Sequence, residues 1–265
     1  MGAFDAVRVS EHVYWVGAID WGIRDFHGYS TSRGSTYNAY LVIADDIILI
    51  DTVKAPFFGE LMARVASVTD PANIRYIISN HAEMDHSGSL PAVIDQVRPE
   101  KIFASKAGVK ALKAHFQACA DILPVVDGEP FRLGGTEFIC LETKMLHWPD
   151  SMATYLPAER LLFSQDGFGM HLATSERFAD RIPRSVLYEE GAKYYANILT
   201  PYSPLVLKLL ERVKGLGIEI DYLCPDHGPV WRKDAFTMIE LWGRWALQAP
   251  TMKAVVAYDT MWGST

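Results

Sequence analysis

The sequence predicts an α/β fold in which two β-sheets pack face to face and helices cover both outer sides, a four-layer sandwich. The order of segments favours this class, because strand-rich stretches open the chain and return near residue 124, and each is followed by alternating strands and helices. The chain has 265 residues, of which 49% are hydrophobic and 22% charged, so it can form a sizeable core.

The first half of the chain contains two strand-rich stretches and then two strand–helix units. Alternating apolar residues predict strands over 12–19 and 36–52, and Asp45 and Asp46 interrupt the second stretch as a hairpin turn does. Helical spacing and short apolar runs then predict helices over 56–68, 90–97 and 106–116 and strands over 74–79 and 101–105. The order in this half is therefore strands followed by mixed strand–helix units.

The second half repeats the order of the first. Strands are predicted over 138–142 and 153–164, with Gly134 and Gly135 as a turn before them. The aromatic-rich stretch from Phe168 to Tyr195 has the pattern of a long loop. A helix over 203–217, closed by Gly215 and Gly217, and a strand over 220–225 complete the unit. No flexible linker precedes residue 248, so residues 1–250 are interpreted as one domain.

Charge and composition exclude several classes of function. The net charge is −7 and no block of like charges occurs, so neither nucleic acid nor a membrane surface is an expected partner. No apolar run reaches the roughly 20 residues of a membrane span, and the first residues lack signal-peptide features, so we expect a cytoplasmic protein. Cys119, Cys140 and Cys224 form no CxxC pair, and we interpret them as small buried residues with reduced thiols.

The segment 79–88, SNHAEMDHSG, is the densest group of metal-binding side chains in the sequence. It directly follows the predicted strand 74–79 and precedes a helix, and ligands gather at strand ends in α/β sheets. Four potential ligands lie within six residues: His81, Glu83, Asp85 and His86. Buried carboxylates need a compensating cation, so the segment favours a metal site over a solvated acidic loop, which remains the alternative.

Three later residues occupy equivalent positions. His147, Asp166 and His227 each follow an apolar strand at the point where a loop with glycine or proline begins. A single histidine at a strand end is more often a structural residue. Several at equivalent positions indicate one shared site, so we expect these side chains to meet the segment 79–88.

These residues resemble the ligand pattern of the metallo-β-lactamase superfamily, His-x-His-x-Asp-His followed by His, Asp and His at later strand ends. The resemblance covers residues from about 30 to 245 and implies the four-layer αββα sandwich of that superfamily. The second histidine of the hydrolytic members is replaced here by Glu83, a variant that resembles the flavodiiron proteins. A carboxylate adds negative charge and an oxygen donor, which favours iron over zinc.

The resemblance implies a non-haem site for two irons. One iron would be held by His81, Glu83 and His147, and the other by Asp85, His86 and His227. Asp166 would bridge the two, since one carboxylate can offer an oxygen to each metal. His12 and His115 lie away from these segments and are interpreted as non-ligands.

The resemblance also implies that a histidine and a tyrosine from two loops stand beside the irons. The nearest matches are His27 and Tyr195, with Tyr194 as the adjacent alternative, and His171 is a candidate hydrogen-bond donor in the same loop as the tyrosine. An ordinary role as loop residues with local hydrogen bonds remains open for each of them.

The last residues, 251–265, are predicted to belong to a second domain. An apolar strand over 254–258 leads into a loop that resembles the phosphate-binding loop of flavodoxins, where hydroxyls and amides surround the phosphate of FMN. The loop residues are Thr260, Met261, Trp262, Gly263, Ser264 and Thr265. The chain stops before the rest of such a domain, so we expect a piece of a longer protein, engineered or proteolytic, that does not itself retain FMN.

The resemblance implies an oxidoreductase that reduces dioxygen to water or nitric oxide to nitrous oxide. In the intact protein, FMN would pass electrons from rubredoxin or a similar donor, and subunits would pair head to tail as a homodimer. Two alternatives stay open: a di-zinc hydrolase of the same fold, such as a glyoxalase-II-like thioesterase, and a degenerate domain kept as a scaffold. Glu83 and the residues at the end of the chain argue against the first, and the complete set of seven ligands against the second.

Overall fold

The computed structural model describes residues 4–116 and 121–263. The strands are, in chain order, β1 Val7–Arg8, β2 Val13–Trp15, β3 Ala18–Asp20, β4 Asp25–Phe26, β5 Tyr29–Ser30, β6 Ser35–Tyr37, β7 Tyr40–Ile43, β8 Ile47–Ile50, β9 Ile74–Ser79, β10 Lys101–Ala104, β11 Ile122–Pro124, β12 Pro130–Leu133, β13 Thr136–Glu142, β14 Met152–Leu156, β15 Leu161–Gln165 and β16 Tyr222–Pro225. The α-helices are α1 Phe58–Ala66, α2 Met84–Ser87, α3 Leu90–Val97, α4 Lys106–His115, α5 Arg184–Tyr194, α6 Ser203–Leu216 and α7 Phe236–Ala246.

Two large sheets form the centre of the fold. The first has the order β1-β2-β7-β8-β9-β10-β11, antiparallel from β1 to β8 and parallel from β8 to β11. The second has the order β12-β13-β14-β15-β16, with only the β15–β16 pair parallel. The predicted hairpin turn at Asp45 and Asp46 is confirmed, because Ile43 pairs with Ile47 across it.

Three apolar clusters separate four layers. Leu49 of β8 packs in a cluster with the helices on the first sheet, whereas its neighbours Ile48 and Ile50 pack in a cluster shared by both sheets. On the second sheet, Phe163 joins that shared cluster and Leu162 packs with α5, α6 and α7. Successive side chains of a strand point to opposite faces, so both sheets are apolar on both faces. The predicted four-layer sandwich is confirmed.

The ends of the central strands meet at one edge of the sandwich. Ser79 ends β9, Gln165 ends β15 and Pro225 ends β16, and Gln165 pairs with Pro225 in the sheet. Two backbone hydrogen bonds join the sheets there: Asn38 N–H donates to the Asp226 carbonyl at 2.7 Å and Met152 N–H to the Asn80 carbonyl at 3.0 Å. Side chains that directly follow these strands therefore converge.

A small hairpin brings the N-terminal loop to the same edge. β4 pairs with β5 through Phe26 and Tyr29, so His27 and Gly28 form a two-residue turn. Both turn residues have positive φ, 54° and 76°, as the type I′ hairpin turn requires. This turn holds the His27 side chain at the tip of the hairpin.

The long loop predicted over 168–195 contains a helix, and that part of the prediction is wrong. Residues 184–194 form α5, whose buried residues are Leu187, Glu190, Gly191 and Tyr194. Their spacing is that of one helical face, but a glutamate and a glycine occupy two of the four positions. The apolar periodicity that identifies a helix is therefore missing from the sequence.

The strand predicted over 254–258 is not formed in the described structure, so this part of the prediction for the chain's end is wrong. Residues 254–258 have no regular secondary structure, and the Val255, Val256 and Tyr258 side chains are exposed. A strand needs a neighbour for its backbone N–H and C=O groups, and in the described part of the chain these residues pair with none. Of the predicted phosphate loop, Ser264 and Thr265 lie outside the described residues.

The cysteines agree with their interpretation where they are described. Cys140 and Cys224 are buried free thiols, and burial raises the pKa of Cys140 to about 12. Cys119 lies outside the described residues. Within the described parts of the chain, every helix is too short or too polar to cross a bilayer.

Candidate metal centre

Four of the predicted ligands form one group at the strand-end edge. The imidazole Nε2 atoms of His81 and His147 lie 3.3 and 3.0 Å from Asp166 Oδ2. The same two nitrogens lie 3.3 and 3.1 Å from Glu83 Oε2. One carboxylate oxygen of each acid thus faces both histidines, and the four side chains can hold one metal ion.

The remaining three predicted ligands form a second group beside the first. The Nε2 atoms of His86 and His227 lie 3.1 and 3.2 Å from Asp85 Oδ2. They lie at the same distances, 3.1 and 3.2 Å, from Asp166 Oδ1. Asp166 therefore presents Oδ2 to one group and Oδ1 to the other, which is the arrangement of a carboxylate that bridges two metals.

The spacing and the unpartnered atoms of the two groups fit metal ions better than direct hydrogen bonds. Ligand atoms about 2.1 Å from a common metal lie roughly 3.0 to 3.4 Å from one another, as these atoms do. Several of them are buried without a hydrogen bond of acceptable geometry: both Asp85 oxygens, Asp166 Oδ2, His147 Nε2 and His227 Nε2. Such groups are costly unless a cation compensates them.

Without a metal, the pKa values of the ligand side chains show which protons a cation would replace. Burial disfavours the charged forms of His147 and His227, yet the close Asp166 carboxylate and a second carboxylate raise the pKa of each to about 9. Burial likewise opposes ionisation of Asp166, but the His86 charge and hydrogen bonds from histidines hold its pKa well below the ordinary value. Protons on the imidazoles thus balance the carboxylates, and metal binding has to displace them.

The other ring nitrogen of several histidines is held by a neighbouring group, as metal-binding histidines require. Asp150 Oδ2 lies 3.1 Å from His81 Nδ1 and accepts a hydrogen bond of 2.7 Å from Ala82 N–H. His227 Nδ1 lies 2.6 Å from the Thr36 carbonyl, so it carries a proton and donates. These contacts leave the Nε2 atoms of both rings free to face the centre.

His27 and His171 are brought to the centre in a hydrogen-bonded chain. His27 Nε2 lies 3.3 Å from Glu83 Oε1, and His27 Nδ1 lies 3.0 Å from His171 Nε2. His171 Nδ1 lies 2.8 Å from Ser35 Oγ. Burial and the neighbouring charges of His227 and His27 hold the pKa of His171 well below its ordinary value, so the ring is neutral. The hydrogen bonds can then run from Ser35 through His171 to His27, whose Nε2 is buried without a hydrogen bond of acceptable geometry among the described residues and faces Glu83.

Tyr195 is not at the centre, and its assignment is corrected to Tyr194. The Tyr195 hydroxyl contacts Ser203 Oγ at 3.0 Å, and its ring packs against Trp242 and Trp245. The Tyr194 ring centroid instead lies 5.2 Å from that of His171 and 6.2 Å from that of His227. Consecutive helical residues point about 100° apart, so only one of the two tyrosines can face the site.

The histidines interpreted as non-ligands lie outside both groups. The His12 ring contacts Glu159 at 2.9 Å on the surface. His115 Nδ1 lies 3.1 Å from the Ala82 carbonyl, at the back of the metal-binding segment. Neither belongs to a group of side chains that could hold a metal within the described residues.

Three buried acids that support the site were not predicted. Asp51 accepts hydrogen bonds from Asn80 N–H at 2.6 Å and from the Asn80 amide at 2.7 Å, which fixes the start of the metal-binding segment. Asp150 holds His81, and Asp226 Oδ2 lies 3.5 Å from His86 Nδ1. Asp51 and Asp226 directly follow strands, the same signal that identified Asp166, so they could have been found.

The fold and these two groups define a metallo-β-lactamase-like protein with a candidate two-metal centre. A family model described as "ODP family beta lactamase" matches residues 36–228. Among curated proteins, a "Nitric oxide reductase" from Moorella thermoacetica is 44% identical over 262 residues, covering 98% of this chain and 66% of the relative. A "Rubredoxin-oxygen oxidoreductase" from Megalodesulfovibrio gigas is 46% identical over 264 residues, with coverages of 98% and 66%.

Solved structures agree with this family. The rubredoxin oxygen:oxidoreductase from Desulfovibrio gigas superposes with a TM-score of 0.91 at 45% identity, covering 93% of this chain and 63% of that one. The flavodiiron protein from Giardia intestinalis superposes with a TM-score of 0.88 at 36% identity, covering 93% and 60%. The chain thus spans 66% of the length of both of these curated relatives.

The chain belongs to the ODP family of β-lactamase-like domains, the metallo-β-lactamase-like domain of flavodiiron proteins. Membership of this family, together with the two groups of histidines and carboxylates, implies a diiron site.

Proposed function

We propose that this chain is the catalytic part of an oxidoreductase that reduces dioxygen to water, nitric oxide to nitrous oxide, or both. The observation that carries the proposal is the Asp166 carboxylate, whose two oxygens face two separate groups of ligands. The names of the relatives support both substrates, since one is a nitric oxide reductase and another a rubredoxin-oxygen oxidoreductase.

The proposed ligands of the two irons are those of the two groups, joined by Asp166. They are His81, Glu83 and His147 on one side and Asp85, His86 and His227 on the other. Two ferrous ions held there would supply electrons and open coordination positions for a diatomic gas. The protein holds the ligands in place, through Asp150 behind His81 and the Thr36 carbonyl behind His227.

The chain of hydrogen bonds beside Glu83 is proposed to manage protons. Ser35, His171 and His27 are hydrogen-bonded in series, His27 Nε2 faces Glu83 Oε1 at 3.3 Å, and neutral His171 can pass a proton between its ring nitrogens. Burial, together with the nearby charge of Asp166, raises the pKa of Tyr194 well above its ordinary value, so its hydroxyl stays protonated. The Tyr194 hydroxyl has no partner in the described structure and can donate a hydrogen bond to a bound molecule.

Glu83 supports iron over the di-zinc hydrolase that the fold could also host. It lies within 3.3 Å of His81, His147 and His27, so its carboxylate takes the place of an imidazole in the ligand set. A third carboxylate beside Asp85 and Asp166 lowers the net charge of the site and compensates ferric iron better than a neutral imidazole would.

The rest of the electron path is proposed for the intact protein. We place the metal-binding domain at residues 1–250 and the beginning of a flavodoxin-like domain at 251–265, where Thr260 to Thr265 would contact the phosphate of FMN. FMN would then receive electrons from rubredoxin or a similar donor, and a head-to-tail homodimer would bring the flavin of one subunit to the irons of the other. A cytoplasmic location suits the free thiols of Cys140 and Cys224.

The proposal is tested on chain loaded anaerobically with ferrous iron and exposed once to nitric oxide or dioxygen. We expect about two irons per chain. After exposure to nitric oxide, gas chromatography should detect nitrous oxide. His147→Ala should lose both the iron content and the nitrous oxide. His12→Ala is the matched control, because it removes a histidine that lies on the surface away from both groups. Preferential loading of zinc, with thioester hydrolysis and no gas reduction, would establish the hydrolase instead.

A further inference from the structure

A small enclosed cavity lies behind the metal centre, between the second sheet and the helices that cover it. Its volume is about 20 Å³, and its walls include Leu141, Ala153 and Leu162 from β13, β14 and β15 and Leu209 and Val213 from α6. Phe168 closes another side. Most of the atoms that a molecule would meet there belong to apolar side chains.

The inner end of this cavity touches the backbone that carries two proposed ligands. Leu146 and Gln165 both line it, and they directly precede His147 and Asp166. The Gln165 side-chain amide donates a hydrogen bond of 2.7 Å to the Leu146 carbonyl and joins the two segments. The cavity therefore reaches the residues that directly precede two proposed ligands of the first group, His147 and Asp166.

The outer end adjoins an open depression on the surface. This depression has a volume of about 240 Å³ and a charged rim that includes Lys208 and Arg212. It shares three lining residues with the inner cavity: Thr143, Leu146 and Leu209. These three side chains border both spaces, so their rotamer changes can connect the surface to the inner cavity.

We infer that this pair of cavities is an access route and holding site for a small apolar gas on its way to the metal centre. The inference rests on the proposed function for its substrate class, a diatomic gas. The volume exceeds the roughly 10 to 15 Å³ that a molecule the size of water needs. Dry cavities lined by apolar side chains bind apolar guests such as xenon where they are larger, so a diatomic gas is the occupant that fits this one. The route enters between the β13–β14 connection and α6.

Water is the competing occupant. Among the described residues, Thr143 Oγ1, Gln165 Oε1 and Trp242 Nε1 are buried without a hydrogen-bond partner, and all three residues line the inner cavity. A water molecule there would need two or more of these atoms within reach at once. Crystals of the chain pressurised with xenon separate the two occupants, because xenon gives strong density that an ordered water does not.

The functional test narrows the route at Leu209, the α6 residue that lines both cavities. Leu209→Phe is expected to abolish the xenon peak and slow the reaction of the reduced iron-loaded chain with nitric oxide by about fivefold or more. Leu209→Ala is expected to raise xenon occupancy and leave the reaction as fast or faster. Leu207→Phe is the matched control: it makes the same change on the same helix at a half-buried leucine that lines neither cavity.

The outcomes are distinct. A xenon peak in the inner cavity with a slower reaction in Leu209→Phe alone supports the route. Ordered water without xenon, or an unchanged rate in a Leu209→Phe chain that has lost xenon, overturns it. The proposed function fails separately, if xenon binds in the cavity but reduced iron reacts with neither gas.

Discussion

The two halves of the metal centre differ in how far they are shielded from solvent. In the half formed by Asp85, His86 and His227, the side chains are 2%, 0% and 0% exposed. In the other half, Glu83 and His147 are 18% and 13% exposed. A site with one closed and one partly open half can exchange small molecules at the open half while the closed half keeps its ligands.

The groups that hold the ligands also differ between the two halves: they are interior in the closed half and near the surface in the open half. The closed half rests on the interior, since His227 is fixed by the Thr36 carbonyl of β6 at 2.6 Å. The open half is connected to the surface hairpin through His27, which contacts Glu83 at 3.3 Å. We therefore expect changes in the closed half to affect metal retention, and changes in the open half to affect which metal and which ligand bind.

Asp166→Ala is expected to have the largest effect, because it removes a proposed ligand from both halves at once. Iron per chain should fall from about two to near zero, measured by elemental analysis of protein loaded anaerobically. Asp221→Ala, which removes an exposed aspartate paired with Arg160, should leave the content unchanged. Full retention of both irons in Asp166→Ala would contradict a bridging role.

Glu83→His should distinguish the two halves of the metal centre by changing the preference of the site for iron over zinc. A neutral imidazole compensates ferric iron less well than a carboxylate, so the iron-to-zinc ratio under competitive loading should fall by about tenfold. The corresponding change in the closed half, Asp85→His, should lose metal altogether, because a larger ring has no room where the side chain is only 2% exposed. An unchanged metal ratio in Glu83→His would remove the significance attached to that glutamate.

Asp150→Asn and Asp226→Asn compare the supports behind one histidine in each half. Asp150 holds His81 at 3.1 Å and accepts a second hydrogen bond, so its change to asparagine should weaken metal affinity by about tenfold or more. Asp226 lies 3.5 Å from His86 without a hydrogen bond, so Asp226→Asn should have a smaller effect. Metal affinities are measured by competition with a chelator. Equal weakening of metal binding in the two variants would contradict this comparison.

The smallest expected effects come from the two neighbouring tyrosines. Tyr195→Phe loses the contact with Ser203 and should lower the free energy of unfolding by about 1 kcal/mol without changing the reaction of the iron site. Tyr194→Phe removes a hydroxyl that has no partner, so stability should hold while the reaction with nitric oxide changes. Urea denaturation and a single-exposure gas assay measure both, and the reverse pattern would restore Tyr195 to the site.

The sequence predicted that seven side chains converge because they follow the ends of strands, and the sheets fix where the strands end. His81, Asp166 and His227 follow β9, β15 and β16, and the register of those strands leaves little freedom in where the next residues lie. The structure brings all seven together, whereas their binding of metal stays a prediction. Asp51 and Asp226 also follow the ends of strands and were missed only because neither belongs to the ligand pattern.

Residues on irregular or atypical segments could not be placed from the sequence. The helix α5 has Glu190 and Gly191 on its buried face. Glu190 is accommodated because Arg33 reaches it at 2.9 Å from another part of the chain. Such a long-range ion pair leaves no local pattern in the sequence. The sequence therefore predicts a loop there and does not determine which of Tyr194 and Tyr195 faces the site. Asp150 likewise gains its role only when β9 and the loop before β14 meet.

Because the Asp166 carboxylate belongs to both halves, uptake of the two ions is expected to be cooperative. The first ion to bind fixes the rotamer of Asp166 and displaces the protons shared with its histidines. The second ion then meets an oriented carboxylate and loses less side-chain entropy on binding, which is positive coupling between sites without a change of fold. Chains with a single iron should consequently be scarce during loading, and the population should pass from empty directly to fully occupied centres.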